Sequence, residues 1–79
     1  MNGYPESEPL RMWVVYDHPL DFPDCFVARE WIALSFPIAT DNVLTAPTLD
    51  ALRALIPPAA DRWIPRDQFD DPRILGVYL

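Results

Sequence analysis

One short stretch of the chain gathers residues that could do chemistry. Three aspartates and the single histidine stand within eight residues: Asp17, His18, Asp21 and Asp24. Oxygen ligands together with one imidazole can hold a divalent cation. The spacing matches no known ligand loop, however, and the glycine that an EF-hand loop needs is absent. Aspartates that cap turns are the favoured interpretation, and no metal site is expected.

Enzymatic chemistry finds little support elsewhere in the chain. Cys25 and His18 are a nucleophile and a base in type, but they lie seven residues apart and nothing marks an oxyanion site. Gly3 and Gly76 are the only glycines, so no phosphate-binding loop, dinucleotide fingerprint or serine elbow can be built. We expect a protein that is not an enzyme and binds no cofactor, with Cys25 a small buried apolar residue.

Acidic charge is the strongest chemical signal. The 79 residues include 12 Asp and Glu against 6 Arg and Lys, for a formal charge of −6. This charge argues against direct binding to nucleic acid or to an anionic membrane, and it suits a protein partner with a basic surface. Solubility alone is the open alternative. Neither a signal peptide nor a membrane span is predicted, so we expect a cytoplasmic protein in a bacterial cell.

Eight aspartates lie on predicted connections: Asp17, Asp21, Asp24, Asp41, Asp61, Asp67, Asp70 and Asp71. Connections run over the surface, so loops that share one side would form a negative strip. Phosphates recur about every 3.4 Å along one DNA strand, and rigidly held carboxylates can imitate them in a basic channel. Trp63 is expected to be partly exposed and to anchor such an interface. Aspartates scattered for solubility remain the alternative.

The elements that position these residues follow from hydrophobic pattern. Apolar and β-branched runs predict the strands Met12–Tyr16, Cys25–Ala33 and Arg73–Leu79, with shorter extended segments at Val43–Ala46 and Arg62–Ile64. A helix is the alternative for Cys25–Ala33, because its Ala, Arg and Glu residues favour helices, but its aromatic and β-branched residues favour the strand. Both faces of Met12–Tyr16 are apolar, which predicts a central or well-covered strand. The loop side chains Leu20 and Phe22 are expected to tuck inward.

A short helix after Pro47 is the clearest element. Thr48 is its predicted N-cap and Asp50 lies in its first turn, where the helix dipole favours a carboxylate. Pro57 and Pro58 end the helix. One apolar stripe is predicted on it: Leu49, Leu52, Leu55 and Ile56. So short a helix is not stable alone, so its stripe must lie on a sheet.

The order β-β-(β)-α-β predicts an α+β fold, a small antiparallel sheet of three to four strands with one short helix packed on it. Residues 1–10 are predicted to be a flexible N-terminal arm, and residues 11–79 a single small domain that is monomeric. The predicted core consists of Trp13, Val15, Phe26, Trp31, Leu49, Leu52, Leu55, Ile74 and Val77.

Three segments resemble a group of small bacterial and phage proteins: YDHPLDFPDCFVAREW, TLDALRALIPP and DDPRILGVYL, which together span most of Tyr16 to Leu79. Size, acidity and element order are also similar to phage-encoded anti-CRISPR proteins, in particular inhibitors of type I-C systems. The resemblance implies an acidic DNA mimic that binds the crRNA-guided surveillance complex (Cascade) and blocks recognition of target DNA and its PAM. The alternative is an acidic immunity or antitoxin-type protein that masks a basic nuclease or another nucleic-acid-binding partner.

Overall fold

The computed structural model describes residues 10–33, 36–68 and 71–79. Within them the elements are β1 (Leu10–Asp17), β2 (Phe26–Ala33), β3 (Pro37–Ala46), α1 (Leu49–Leu55), β4 (Trp63–Pro65) and β5 (Ile74–Tyr78). All described strands form one antiparallel sheet with the order β3-β2-β1-β5-β4. The α+β class is confirmed. The sheet has five strands rather than three to four, so the predicted strand count is wrong.

The two edge strands account for this difference. The third strand begins at Pro37 rather than Val43, because an edge strand needs hydrogen bonds on one side only and tolerates a proline. Its pairing is interrupted between Arg29 and Trp31 of β2, and this bulge breaks the alternating pattern that identifies a strand. At the other edge, β4 is only three residues long and gains its pairing from β5.

The helix begins as predicted. The Oγ1 of Thr48 accepts a hydrogen bond from the backbone N–H of Ala51 at 3.1 Å, and Asp50 lies in the first turn. Leu52 is fully buried, whereas Leu55 is 53% exposed, so its place in the predicted stripe is wrong. The physical reason is helical geometry, because six residues from Leu49 to Leu55 turn the side chain about 120° away around the axis.

The core lies between α1 and one face of the sheet. Its buried members are Trp13, Val15, Ala28, Ala46, Leu52 and Ile56. Trp31 was expected there but is half-buried on the opposite face, because it pairs with Met12 and not with Trp13. Ile74 and Val77 are likewise half-buried on that opposite face.

Two further expectations concern segments outside the strands. Leu20 does not tuck inward, since it is 82% exposed, whereas Phe22 of the same loop is half-buried. The predicted arm over residues 1–10 lies outside the described residues except for Leu10, which begins β1. Residues 10–33, 36–68 and 71–79 contain no helix with the length and hydropathy of a membrane span.

Truncating the two helix leucines separately tests the burial of α1. Leu52→Ala should lower the free energy of unfolding by about 2–5 kcal/mol, because it leaves a cavity in the core. Leu55→Ala, the matched control in the same helix, should change it by no more than about 0.5 kcal/mol. Urea denaturation followed by tryptophan fluorescence measures both. Equal losses would mean that Leu55 also belongs to the core.

Candidate functional site

The sheet topology brings the first and last acidic loops to the same end of the molecule. The first follows β1 at Asp17, and the last leads into β5, whose Ile74 pairs with Tyr16. The backbone N–H of Asp17 donates a hydrogen bond to the carbonyl oxygen of Arg73 at 2.7 Å. The described parts of segments 17–25 and 66–73 therefore meet at this bond, and we call these two segments the acidic end.

Most of the net charge belongs to these two segments. By sequence, they contain six of the 12 acidic residues and two of the six arginines. Their formal charge is thus −4, out of −6 for the whole chain. Asp70 is one of these six but lies outside the described residues.

The first loop is held by its own backbone. The N–H of His18 donates to the carbonyl of Cys25 at 3.1 Å, and that of Phe22 donates to Pro19 at 3.0 Å. His18 has a φ of 50°, in the left-handed region that non-glycine residues seldom adopt. Its ring meets Phe26 edge-on, with the centroids 5.0 Å apart. These contacts give the loop aspartates a rigid support.

The three aspartates of the first loop differ in their partners. The carboxylate of Asp17 contacts Nδ1 of His18, and that of Asp21 forms an ion pair with Arg29. Asp24 is exposed, and no group among the described residues bonds to it. Asp24 is therefore the aspartate of this loop most available to another molecule.

The second loop holds its aspartates at the surface. Oδ1 of Asp71 accepts the N–H of Arg73 at 2.8 Å, and its backbone oxygen accepts that of Ile74 at 2.9 Å. Asp67 is exposed, and its backbone oxygen accepts a bond from Nη1 of Arg66 at 3.2 Å. Arg66 and Arg73 lie in the same loop, so they reduce the charge of the acidic end.

Three residues predicted for the site lie elsewhere. Asp41 stands in the β3 bulge at the sheet edge, and Asp61 precedes β4 toward the end of the sheet opposite the acidic end. Trp63 is half-buried, with its ring centroid 4.7 Å from that of Tyr78 and beneath the Arg53 guanidinium. The described structure thus gathers five of the predicted aspartates at one end: Asp17, Asp21, Asp24, Asp67 and Asp71.

Metal chemistry has no support in this arrangement. Across residues 10–33, 36–68 and 71–79, no group of three or more His, Cys, Asp or Glu side chains could hold a metal ion. Cys25 is half-buried, and its Sγ lies 4.0 Å from the carbonyl oxygen of Phe22. What the acidic end presents is surface charge.

Sequence reasoning missed one buried polar residue that connects three strands of the sheet. Glu30 is only 5% exposed, and its Oε1 accepts three side-chain hydrogen bonds. They come from Asn42 at 2.7 Å, Thr40 at 3.1 Å and Arg11 at 3.2 Å. These bonds hold the pKa of Glu30 below its ordinary value of 4.5, and the bond from Asn42 has the largest effect. Burial acts in the opposite direction, because it raises the pKa of a carboxyl group. The sequence did contain a sign of this burial, because Glu30 stands within a strand of mostly apolar residues.

Arg11 and Glu30 also line an open cavity of about 290 Å³. The rest of its wall is apolar: Leu10, Trp13, Pro57, Ala59, Ala60 and Leu79. Because the two charged groups bond to each other, the cavity offers mainly apolar contacts and little charge that could recognise a ligand.

No family model, curated protein or solved structure matches this chain. The resemblance to anti-CRISPR proteins therefore stays a prediction, and the case for the acidic end rests on its own geometry.

Acid titration tests the role of Glu30. Because the folded pKa is lowered, the stability from this group is complete above pH 4.5 and is lost as the pH falls through the lowered pKa. Glu30→Gln should lower stability at neutral pH and flatten its decline below pH 4.5. Urea unfolding at a series of pH values measures both. Parallel curves for the variant and the wild type would contradict this role.

Proposed function

We propose that this chain is a non-enzymatic binding protein whose acidic end docks on the basic nucleic-acid-binding surface of a partner protein. The observation that supports it is the junction of the two acidic loops through the Asp17–Arg73 hydrogen bond. That junction brings five of the described aspartates to one end of a small sheet. Complementary fields of this kind steer association and select partners.

The mechanism is competition with nucleic acid for the same cations. Asp24, Asp67 and Asp71 are exposed on loops that leave the sheet at one end. Neighbouring strands such as β1 and β5 are about 4.8 Å apart, so the loops next to their ends present carboxylates on one side of the molecule. Lysines and arginines that bind these carboxylates are no longer available to DNA.

The resemblance in the sequence selects the partner to test first. It points to the type I-C surveillance complex, on which a bound acidic end would block recognition of target DNA and its PAM. A basic nuclease masked by an immunity or antitoxin-type protein uses the same physics, so the same variants examine both partners.

Neutralising two exposed aspartates tests the contact surface. Asp24→Asn with Asp71→Asn should weaken binding to purified type I-C surveillance complex at least about tenfold, a loss of about 1.4 kcal/mol. Asparagine keeps the oxygen that accepts the N–H of Arg73, so the loop is retained. Asp61→Asn is the matched control, because it is exposed but lies toward the opposite end. Titration at low salt measures the three dissociation constants.

Circular dichroism and urea unfolding should show the double variant folded, within about 0.5 kcal/mol of the wild type. Wild-type affinity in this folded variant would exclude the acidic end as the contact. If the complex does not capture the wild-type chain, the partner is wrong, and basic nucleases are tested with the same pair of variants.

Ionic strength gives a second test of the same contact. Binding should weaken steeply as salt rises, because exposed charges are screened over about 8–10 Å near physiological ionic strength. The dissociation constant measured over a salt series, with displacement of labelled target duplex as a parallel readout, checks this. An affinity unchanged by salt would mean that the interface is apolar.

A further inference from the structure

The sheet face opposite α1 is largely apolar, although Val27 on it is fully buried and Arg29 lies against Asp21 and Phe22 of the first loop. The strand registers place one row across all five strands, Val43, Arg29, Val14, Val77 and Ile64. A row on one side holds Ala39, Trp31 and Met12, and a row on the other holds Thr45, Val27, Tyr16 and Ile74. We call these three rows the open face. Within the described ranges α1 is the only helix, and it packs on the other side of the sheet.

This face does not have the composition of a solvated sheet surface. Antiparallel sheets with one wet face alternate apolar and polar residues, but Met12 and Val14 are apolar on a strand whose Trp13 and Val15 already fill the core. Ile64 is 41% exposed, and Val14 and Trp31 are half-buried. Partly exposed apolar residues that adjoin one another in this way are typical of an interaction surface.

The distribution of charge favours a second copy of the chain as the molecule that covers the open face. The chain carries −6, so two copies repel one another over most of their surfaces. At the centre of the open face the only charged side chain is Arg29, and it is neutralised by its ion pair with Asp21. Asp41 stands at the β3 edge, where it would lie on the hydrated rim of an interface. The open face is the region on which two copies meet with least repulsion.

We propose that two copies of the chain associate through their open faces as a two-sheet sandwich, in place of the monomer expected from the sequence. The five strands have 8, 8, 10, 3 and 5 residues, 34 in all, which at about 3.3 Å per residue and 4.8 Å between strands cover about 540 Å² in each copy. Two copies reach the roughly 1,000 Å² that a specific interface needs. Twisted sheets pack face to face about 10 Å apart, and their apolar side chains interdigitate.

A matched pair of isoleucines tests the dimer. Ile64 and Ile38 are both 41% exposed and both lie on edge strands, but Ile38 pairs with Ile32 on the α1 side. Ile64→Glu should raise the dimer dissociation constant at least about tenfold, whereas Ile38→Glu should leave it within about twofold of the wild type. Sedimentation equilibrium of the full chain, from micromolar to millimolar concentration, measures all three proteins.

Circular dichroism and thermal melts establish that each variant is folded. If Ile64→Glu fails to fold, Thr45→Arg gives the same comparison, because Thr45 is exposed on the same face. A wild-type chain that stays monomeric at every concentration overturns the dimer. Equal weakening by the Ile38 and Ile64 variants overturns it too, because the interface would then lie elsewhere.

Salt separates this inference from the proposed function. Added salt should tighten the dimer or leave it unchanged, because it screens the repulsion between two negative chains. Binding of a basic partner should weaken under the same conditions. Asp24→Asn with Asp71→Asn should also leave dimerisation intact, so either proposal can fail while the other holds.

Discussion

The buried carboxylate of Glu30 constrains the rest of the sheet. Removing such a charge from water is costly unless hydrogen bonds replace the lost hydration. Here the replacement comes from β1 through Arg11 and from β3 through Thr40 and Asn42. Thr40 and Asn42 stand in the β3 bulge opposite Glu30, so this one side chain connects three neighbouring strands.

Strand register then decides which apolar residues become core. A shift of one residue moves a whole strand to the other face. With Trp13 opposite Glu30, Val15 faces α1 while Met12, Val14 and Trp31 face away. The chain has enough apolar residues for both faces, but α1 covers only one. The second face is therefore the one on which we propose that two copies associate.

The acidic end and the open face meet at a single ion pair. Asp21 extends from the first acidic loop to Arg29 at the centre of the sheet, and the Arg29 guanidinium lies 5.9 Å from the ring centre of Phe22. This pairing removes a positive charge from the apolar face and one carboxylate from the acidic end. The carboxylates left for the proposed basic partner are then those of the outer loop positions, such as Asp24 and Asp71. The two proposed contacts thus lie on separate surfaces of the same small sheet.

The sequence by itself determined the features that depend on near neighbours. The Thr48 cap, the first-turn Asp50 and the apolar runs of β1 and β2 act within a few residues, so local pattern identified them along with the α+β class. It also identified the aspartates as loop residues. Only tertiary structure decided that two loops far apart in the chain share one end, because that depends on β5 pairing with β1. It likewise decided the burial of Glu30, the pairing of β4 and the face taken by Trp31, since each depends on register between distant strands.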